Sequence, residues 1–168
     1  RNIFSNPDSK WMKFANNLLD NTDPKLIKMA MLNLGYEAGF RGFHIAEENS
    51  KKYGCAIPWI ILFDPTSACN LHCTGCWAAE YDRQLNLSFE DMDSIVTQAK
   101  ELGIHAFLLT GGEPLVRKKD VIRLCEKHSD CAFHAFTNGT LIDDDFCKEM
   151  LRVGNFVPSV RRLCKHLI

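Results

Sequence analysis

Trp59-Ile-Ile-Leu-Phe-Asp64-Pro65 decides the fold of this chain. A short apolar run ended by proline is the pattern of a strand buried on both faces of a sheet. Two further runs of the same kind follow, His105-Ala-Phe-Leu-Leu-Thr110 and Ala132 to Thr137, and Phe156 to Val160 begins a fourth. Helical patterns separate them. Ser88-Phe-Glu-Asp91 is a capping-box-like start, followed by an apolar face of Met92, Ile95, Val96, Ala99 and Leu102 that Gly103 stops. A second helix is expected over about Lys118 to His128. A third is capped by Asp143, carries Phe146, Cys147, Met150 and Leu151, and is closed by Gly154. Strand and helix in alternation predict right-handed βαβ units in an α/β fold with a parallel sheet.

Ligands of such sheets gather at the carboxyl ends of the strands. All three unusual motifs fall there. Cys69-Asn-Leu-His-Cys73-Thr-Gly-Cys76 follows the first strand, Gly111-Gly112-Glu113-Pro114 the second, and Thr137-Asn138-Gly139-Thr140 the third. One shared ligand site is the economical reading. Three cysteines in one loop can converge on an inorganic centre and leave one metal corner open, whereas a closed zinc site or an electron-transfer cluster takes four protein ligands. A zinc knuckle would need His72 as a fourth ligand, strained between Cys69 and Cys73; an electron-transfer cluster would need a distant cysteine such as Cys55. Neither explains the glycine pair. Gly111 and Gly112 let the backbone approach a ligand closely, and Glu113 can accept hydrogen bonds from a cationic amine. Thr137-Asn138-Gly139-Thr140 offers hydroxyl and amide groups at the third strand end, and Asn138-Gly139 reads equally as a plain turn.

The other five cysteines are scattered. Cys125 and Cys147 lie on apolar helical stripes, where a thiol acts as a small hydrophobe. The 168 residues suffice for one domain with a core, with 46% apolar and 24% charged residues and a net charge of −1. That balance gives no nucleic-acid or membrane signal. The longest apolar stretch, Ile57 to Phe63, is far short of the ~20 residues of a membrane span, and no signal-peptide pattern opens the chain, so a cytoplasmic location is expected. Residues 1–56 are expected to be helical, with Asp23-Pro24 as a start and Ile27, Ala30, Met31 and Leu34 as a stripe. Gly35, Gly39 and Gly42 weaken the next stretch, and Tyr53-Gly54 reads as a stop.

The spacing Cys69-x3-Cys73-x2-Cys76, with Gly111-Gly112-Glu113-Pro114 one βα unit later, resembles the radical S-adenosylmethionine (radical SAM) superfamily over about residues 57 to 157. The resemblance implies an N-terminal helical arm (1–56), the first half of a partial (β/α)6 barrel (57–158) with three to four parallel strands, and an atypical tail (159–168). It implies that Cys69, Cys73 and Cys76 ligate a [4Fe–4S] cluster whose fourth iron takes the methionine end of S-adenosylmethionine. Gly111, Gly112, Glu113 and Pro114 would contact that end of the cofactor, and Asn138 and Thr140 would line its pocket. The implied activity is reductive cleavage of the cofactor to a 5′-deoxyadenosyl radical acting on an unidentified substrate, fed by an external electron donor of flavodoxin or ferredoxin type. No catalytic residue beyond the cluster ligands is identifiable.

Two features depart from the family pattern. Gly75 stands where many relatives place an aromatic, and Trp77 follows the last cysteine, as a shield or as packing. Arg161 and Arg162 suit a buried strand poorly, so the tail reads as a frameshifted or truncated end, or as a fragment boundary. A non-catalytic iron–sulfur or cofactor-binding module is the alternative.

Overall fold

The computed structural model describes residues 6–76, 78 and 85–160. Trp77 and all but the first two residues of the 159–168 tail lie outside them. Four helical segments come first: α1 (Lys10–Asn21), α2 (Pro24–Ala30), a π-helical stretch (Met31–Arg41) and α3 (Gly42–Tyr53). Then follow β1 (Ile60–Thr66), α4 (Phe89–Glu101), β2 (Ala106–Gly111), a 3-10 turn (Pro114–Arg117), α5 (Lys118–Lys127), β3 (Ala132–Thr137), α6 (Asp144–Val153) and β4 (Phe156–Val160). The strands form one parallel sheet in the order β1-β2-β3-β4. Among the described residues no helix is long and apolar enough to cross a membrane.

Helices α4, α5 and α6 cover one face of the sheet. Phe63, Phe107, Leu109, Phe133 and Phe156 point into that layer and meet Met92, Val96, Val121, Leu124 and Phe146. Phe107 and Phe133 stack with ring centroids 5.4 Å apart. Two of them begin on the caps their sequence announced: Ser88 and Asp91 form a complete capping box on α4, and Asp143 accepts from the Phe146 N–H on α6.

The opposite face differs from the expectation of strands buried on both sides. Leu62 is 56% exposed and Phe136 52%, because only the lower part of this face is covered. There, Leu26, Ile27, Ala30 and Leu34 border an apolar cavity of about 540 Å³ against Trp59, Ile60 and Phe156. The helical segment is pinned to the sheet by polar contacts. Asn33 is buried and donates to the carbonyls of Ser129 and Cys131, each at 2.9 Å, and Lys25 donates to the Arg152 carbonyl at 2.7 Å.

The glycines expected to weaken this region do not interrupt it. Residues 31–41 wind as a π-helix, a widened form that accommodates irregular packing without ending the helix. Gly42 lies directly against Gly103, so closely that a Cβ on either would overlap the other's carbonyl oxygen. Cys125 is buried as expected, but Cys147 is exposed, since Phe146 and Met150 take the inward positions of α6.

Candidate active site

The three strand-end motifs meet at the carboxyl edge of the sheet. β1 ends at Thr66, whose hydroxyl accepts from the Ala68 N–H at 3.0 Å and donates to Asn86 at 2.6 Å. This local turn starts the cysteine loop, and the chain comes back beside it through Leu87 N–H to Pro65 carbonyl (3.2 Å) and Ser67 N–H to Leu85 carbonyl (2.8 Å). Within the loop, the Leu71 N–H donates to Cys69 Sγ at 3.4 Å and the Cys76 N–H to the Cys73 carbonyl at 3.3 Å. Gly75 has φ +72°, with open space where a Cβ would stand. The departure from an aromatic at this position therefore has a backbone reason: the left-handed turn disfavours any side chain.

Cys69, Cys73 and Cys76 are free thiols, each partly exposed. A single zinc ion bound to sulfur at about 2.3 Å needs its thiolates about 3.8 Å apart. Among the described residues these three sulfurs are not drawn together within 4.8 Å of one another. His105, Asp130 and Cys131 do form such a group, at the amino ends of β2 and β3. Cations of the chain already serve it: the Lys100 ammonium lies 2.7 Å from Asp130, and Arg41 Nη2 lies 3.4 Å from His105 Nε2.

Gly111 and Gly112 bring the second motif onto the root of the cysteine loop. The Gly112 N–H donates to the Thr66 carbonyl at 3.0 Å and the Glu113 N–H to the Ala68 carbonyl at 2.8 Å. Gly111 has φ +102°, and a Cβ there would stand 2.6 Å from the Thr66 oxygen; one on Gly112 would overlap the Ala68 carbonyl. The close approach anticipated for a ligand is thus made first to the chain itself.

Glu113 is 1% exposed, and the chain's own donors occupy its carboxylate. Oε1 accepts from the Leu115 N–H (3.0 Å) and the Thr137 hydroxyl (2.6 Å), and Oε2 from the Asn138 N–H (2.7 Å). Pro114 is buried at the start of the 3-10 turn, which Glu113 caps. In the third motif, Asn138 Nδ2 donates to Asn70 Oδ1 at 2.9 Å, Asn70 Nδ2 to Thr140 Oγ1 at 2.8 Å, and Thr140 Oγ1 to Asn138 Oδ1 at 2.7 Å.

Asp64 escaped the sequence reading. Alternation with buried Phe63 turns it toward the open face of the sheet, where it borders a cavity of about 530 Å³ together with Ser67, Asn86, Gly111 and Gly112. Partial burial raises its pKa, and no partner pairs with it among the described residues. The signal was present: one acid inside an otherwise apolar strand, at its carboxyl end.

The family model described as the Radical SAM superfamily matches residues 63–161. An Fe-coproporphyrin III synthase of Methanosarcina barkeri is 32% identical over 99 residues, which are 56% of this chain and 25% of that protein. A GTP 3′,8-cyclase of Desulforamulus reducens is 41% identical over 68 residues, 38% of this chain and 21% of that protein. The chain thus spans about a quarter of the length of these relatives. Among solved structures, Streptococcus suis SuiB bound to S-adenosylmethionine superposes with a TM-score of 0.57 at 21% identity, covering 89% of this chain and 37% of that one. That likeness is one of fold.

Proposed function

The chain belongs to the radical SAM superfamily, and on that footing we propose that its strand-end site takes part in reductive cleavage of S-adenosylmethionine, the resulting 5′-deoxyadenosyl radical acting on a further substrate. Enzymes of this family use a [4Fe–4S] cluster and S-adenosylmethionine and generally need an external reductant. The observation that carries the reading is the joining of three separate loops at one edge, with Gly112 and Glu113 hydrogen-bonded to the root of the cysteine loop.

In this reading Cys69, Cys73 and Cys76 hold the cluster, which supplies one-electron reduction of the cofactor's sulfonium. Their free thiols and partial exposure fit that group. The backbone of Gly111 to Pro114 faces the methionine end of the cofactor. Glu113 sets that backbone through its buried carboxylate. Asn138 and Thr140 border the same pocket while holding Asn70. Asp64 places a negative charge in the adjoining cavity, where a cationic cofactor needs one. Residues 1–56 act as a helical arm and 57–158 as the barrel portion. The reductant is a flavodoxin- or ferredoxin-type protein, and the setting is cytoplasmic.

The relatives carry names that differ in what they act on, an Fe-coproporphyrin III synthase and GTP 3′,8-cyclases, so no substrate is assigned to this chain. The test is anaerobic reconstitution with iron and sulfide, then addition of reductant and S-adenosylmethionine. Formation of 5′-deoxyadenosine that is lost in Cys73→Ala is expected. Stoichiometric zinc with no uptake of iron would overturn the reading.

A further inference from the structure

Asn70, directly after Cys69 and between the first two cysteines of the motif, closes a ring of hydrogen bonds with two residues of a different strand end. Its amide donates to Thr140 and accepts from Asn138, while Asn138 accepts from Thr140; the three distances are 2.8, 2.9 and 2.7 Å. The ring is anchored in the interior. The Asn138 N–H donates to Oε2 of buried Glu113 at 2.7 Å, and Thr137, one residue earlier, donates to Oε1 at 2.6 Å. A continuous polar path therefore runs from the residue after Cys69, through Asn138, to Glu113. Glu113 is tied back to the cysteine loop by its own N–H on the Ala68 carbonyl.

We infer that Asn70 is a positioning residue that holds the cysteine loop in register with the Gly111–Glu113 segment, using Asn138 and Thr140 as its clamp. The role rests on the proposed function for its purpose, but not for its geometry. Three features favour it over an ordinary surface contact. The amide uses both its donor and its acceptor sides on one partner loop. The partner loop is itself fixed, because Gly139 at φ +77° turns its N–H onto Thr137 Oγ1 at 3.1 Å. The Asn138 side chain, capable of a turn within its own segment, spends its amide on Asn70 as well as accepting from the Thr140 N–H at 2.9 Å. The sulfur of Cys69 and the Asn70 side chain share one short stretch of backbone, so moving one displaces the other.

Two measurements test this, the first without any cluster. In the metal-free chain, amide hydrogen exchange over residues 71–76 is expected to speed up by about two- to tenfold in Asn70→Ala, the weight of one or two hydrogen bonds. Thr140→Val is expected to reproduce part of the change, and Asn70→Ala/Thr140→Val to exceed Asn70→Ala by little, because the two share one contact. Exchange unchanged in Asn70→Ala, or fully additive effects, would overturn the inference. The second uses reconstituted protein. Asn70→Ala is expected to take up the same iron as the wild type, to lose it faster to a chelator, and to shift the electron paramagnetic resonance signal of the reduced cluster. Equal chelator resistance with an unshifted signal would count against the role. Failure of the wild type itself to take up iron would overturn the proposed function, while the exchange experiment would still decide the fate of the ring.

Discussion

Thr137 Oγ1 donates to Glu113 Oε1 at 2.6 Å in a fully enclosed setting, joining the end of β3 to the segment after β2. A buried carboxylate deprived of a donor retains its desolvation cost. Thr137→Val keeps the shape and removes that donor, so a loss of about 1–3 kcal/mol is expected in urea denaturation. Thr137→Ser should recover most of it. Equal midpoints for all three proteins would show that the contact contributes nothing.

Gly112 permits the contact between the second motif and the cysteine loop. Gly112→Ala drives a methyl group into the Ala68 carbonyl and opens the Gly112–Thr66 and Glu113–Ala68 bonds. Strain of this kind typically costs about 1–3 kcal/mol. The variant is expected to unfold earlier and to bind less iron after reconstitution. Gly35→Ala serves as a control, because open space surrounds Gly35.

Asp64→Asn is expected to weaken S-adenosylmethionine binding by about tenfold or more, the weight of a charge-assisted contact. Iron content should be unaltered, since Asp64 lies on β1 and is none of the three cysteines. Equilibrium dialysis of the reconstituted chain reads both. Unchanged affinity would remove Asp64 from the cofactor's surroundings.

His105 gives the fold an acid-sensitive contact far from this site. Burial lowers its pKa below the ordinary 6.5; the Asp130 carboxylate and backbone oppose the shift, Arg41 adds to it, and Glu37 opposes it. Lys100, paired with Asp130, and the Cys131 thiol complete its surroundings. With the folded pKa below the unfolded one, the unfolded chain binds the proton first. The contribution of neutral His105 is therefore intact above about pH 6.5 and is lost as the pH falls below it. Stability measured at pH 7.5 and 5.5 should fall more in the wild type than in His105→Gln; parallel losses would contradict this.

Much of the scaffold was legible because its signals are local. Ser88, Asp91 and Asp143 cap the helices they were expected to cap, and the apolar runs at Ile60, Ala106, Ala132 and Phe156 each became a strand. Proline and glycine marked the strand ends where the three motifs converge. What stayed hidden depends on contacts distant in sequence. Nothing near Asn70 announces Thr140, and nothing near Gly42 announces Gly103; a small or polar residue shows its partner only when the chain has folded. Exposure of Leu62 and Phe136 was likewise unreadable, since an apolar run looks the same whether one or both faces are covered. Strand alternation alone sets Asp64 opposite Phe63, but only the folded loops after β1 and β2 form the cavity beside it.

In the proposed function, Cys69, Cys73, Cys76 and the Gly111–Glu113 segment form one site for a cluster and its cofactor. Electron paramagnetic resonance of the anaerobically reconstituted, reduced chain, with and without S-adenosylmethionine, tests it most directly. A [4Fe–4S] signal is expected that shifts when S-adenosylmethionine is added, is absent in Cys73→Ala, and loses its response to the cofactor in Gly112→Ala. A wild-type chain that forms no such cluster, or one whose signal ignores S-adenosylmethionine, would contradict it.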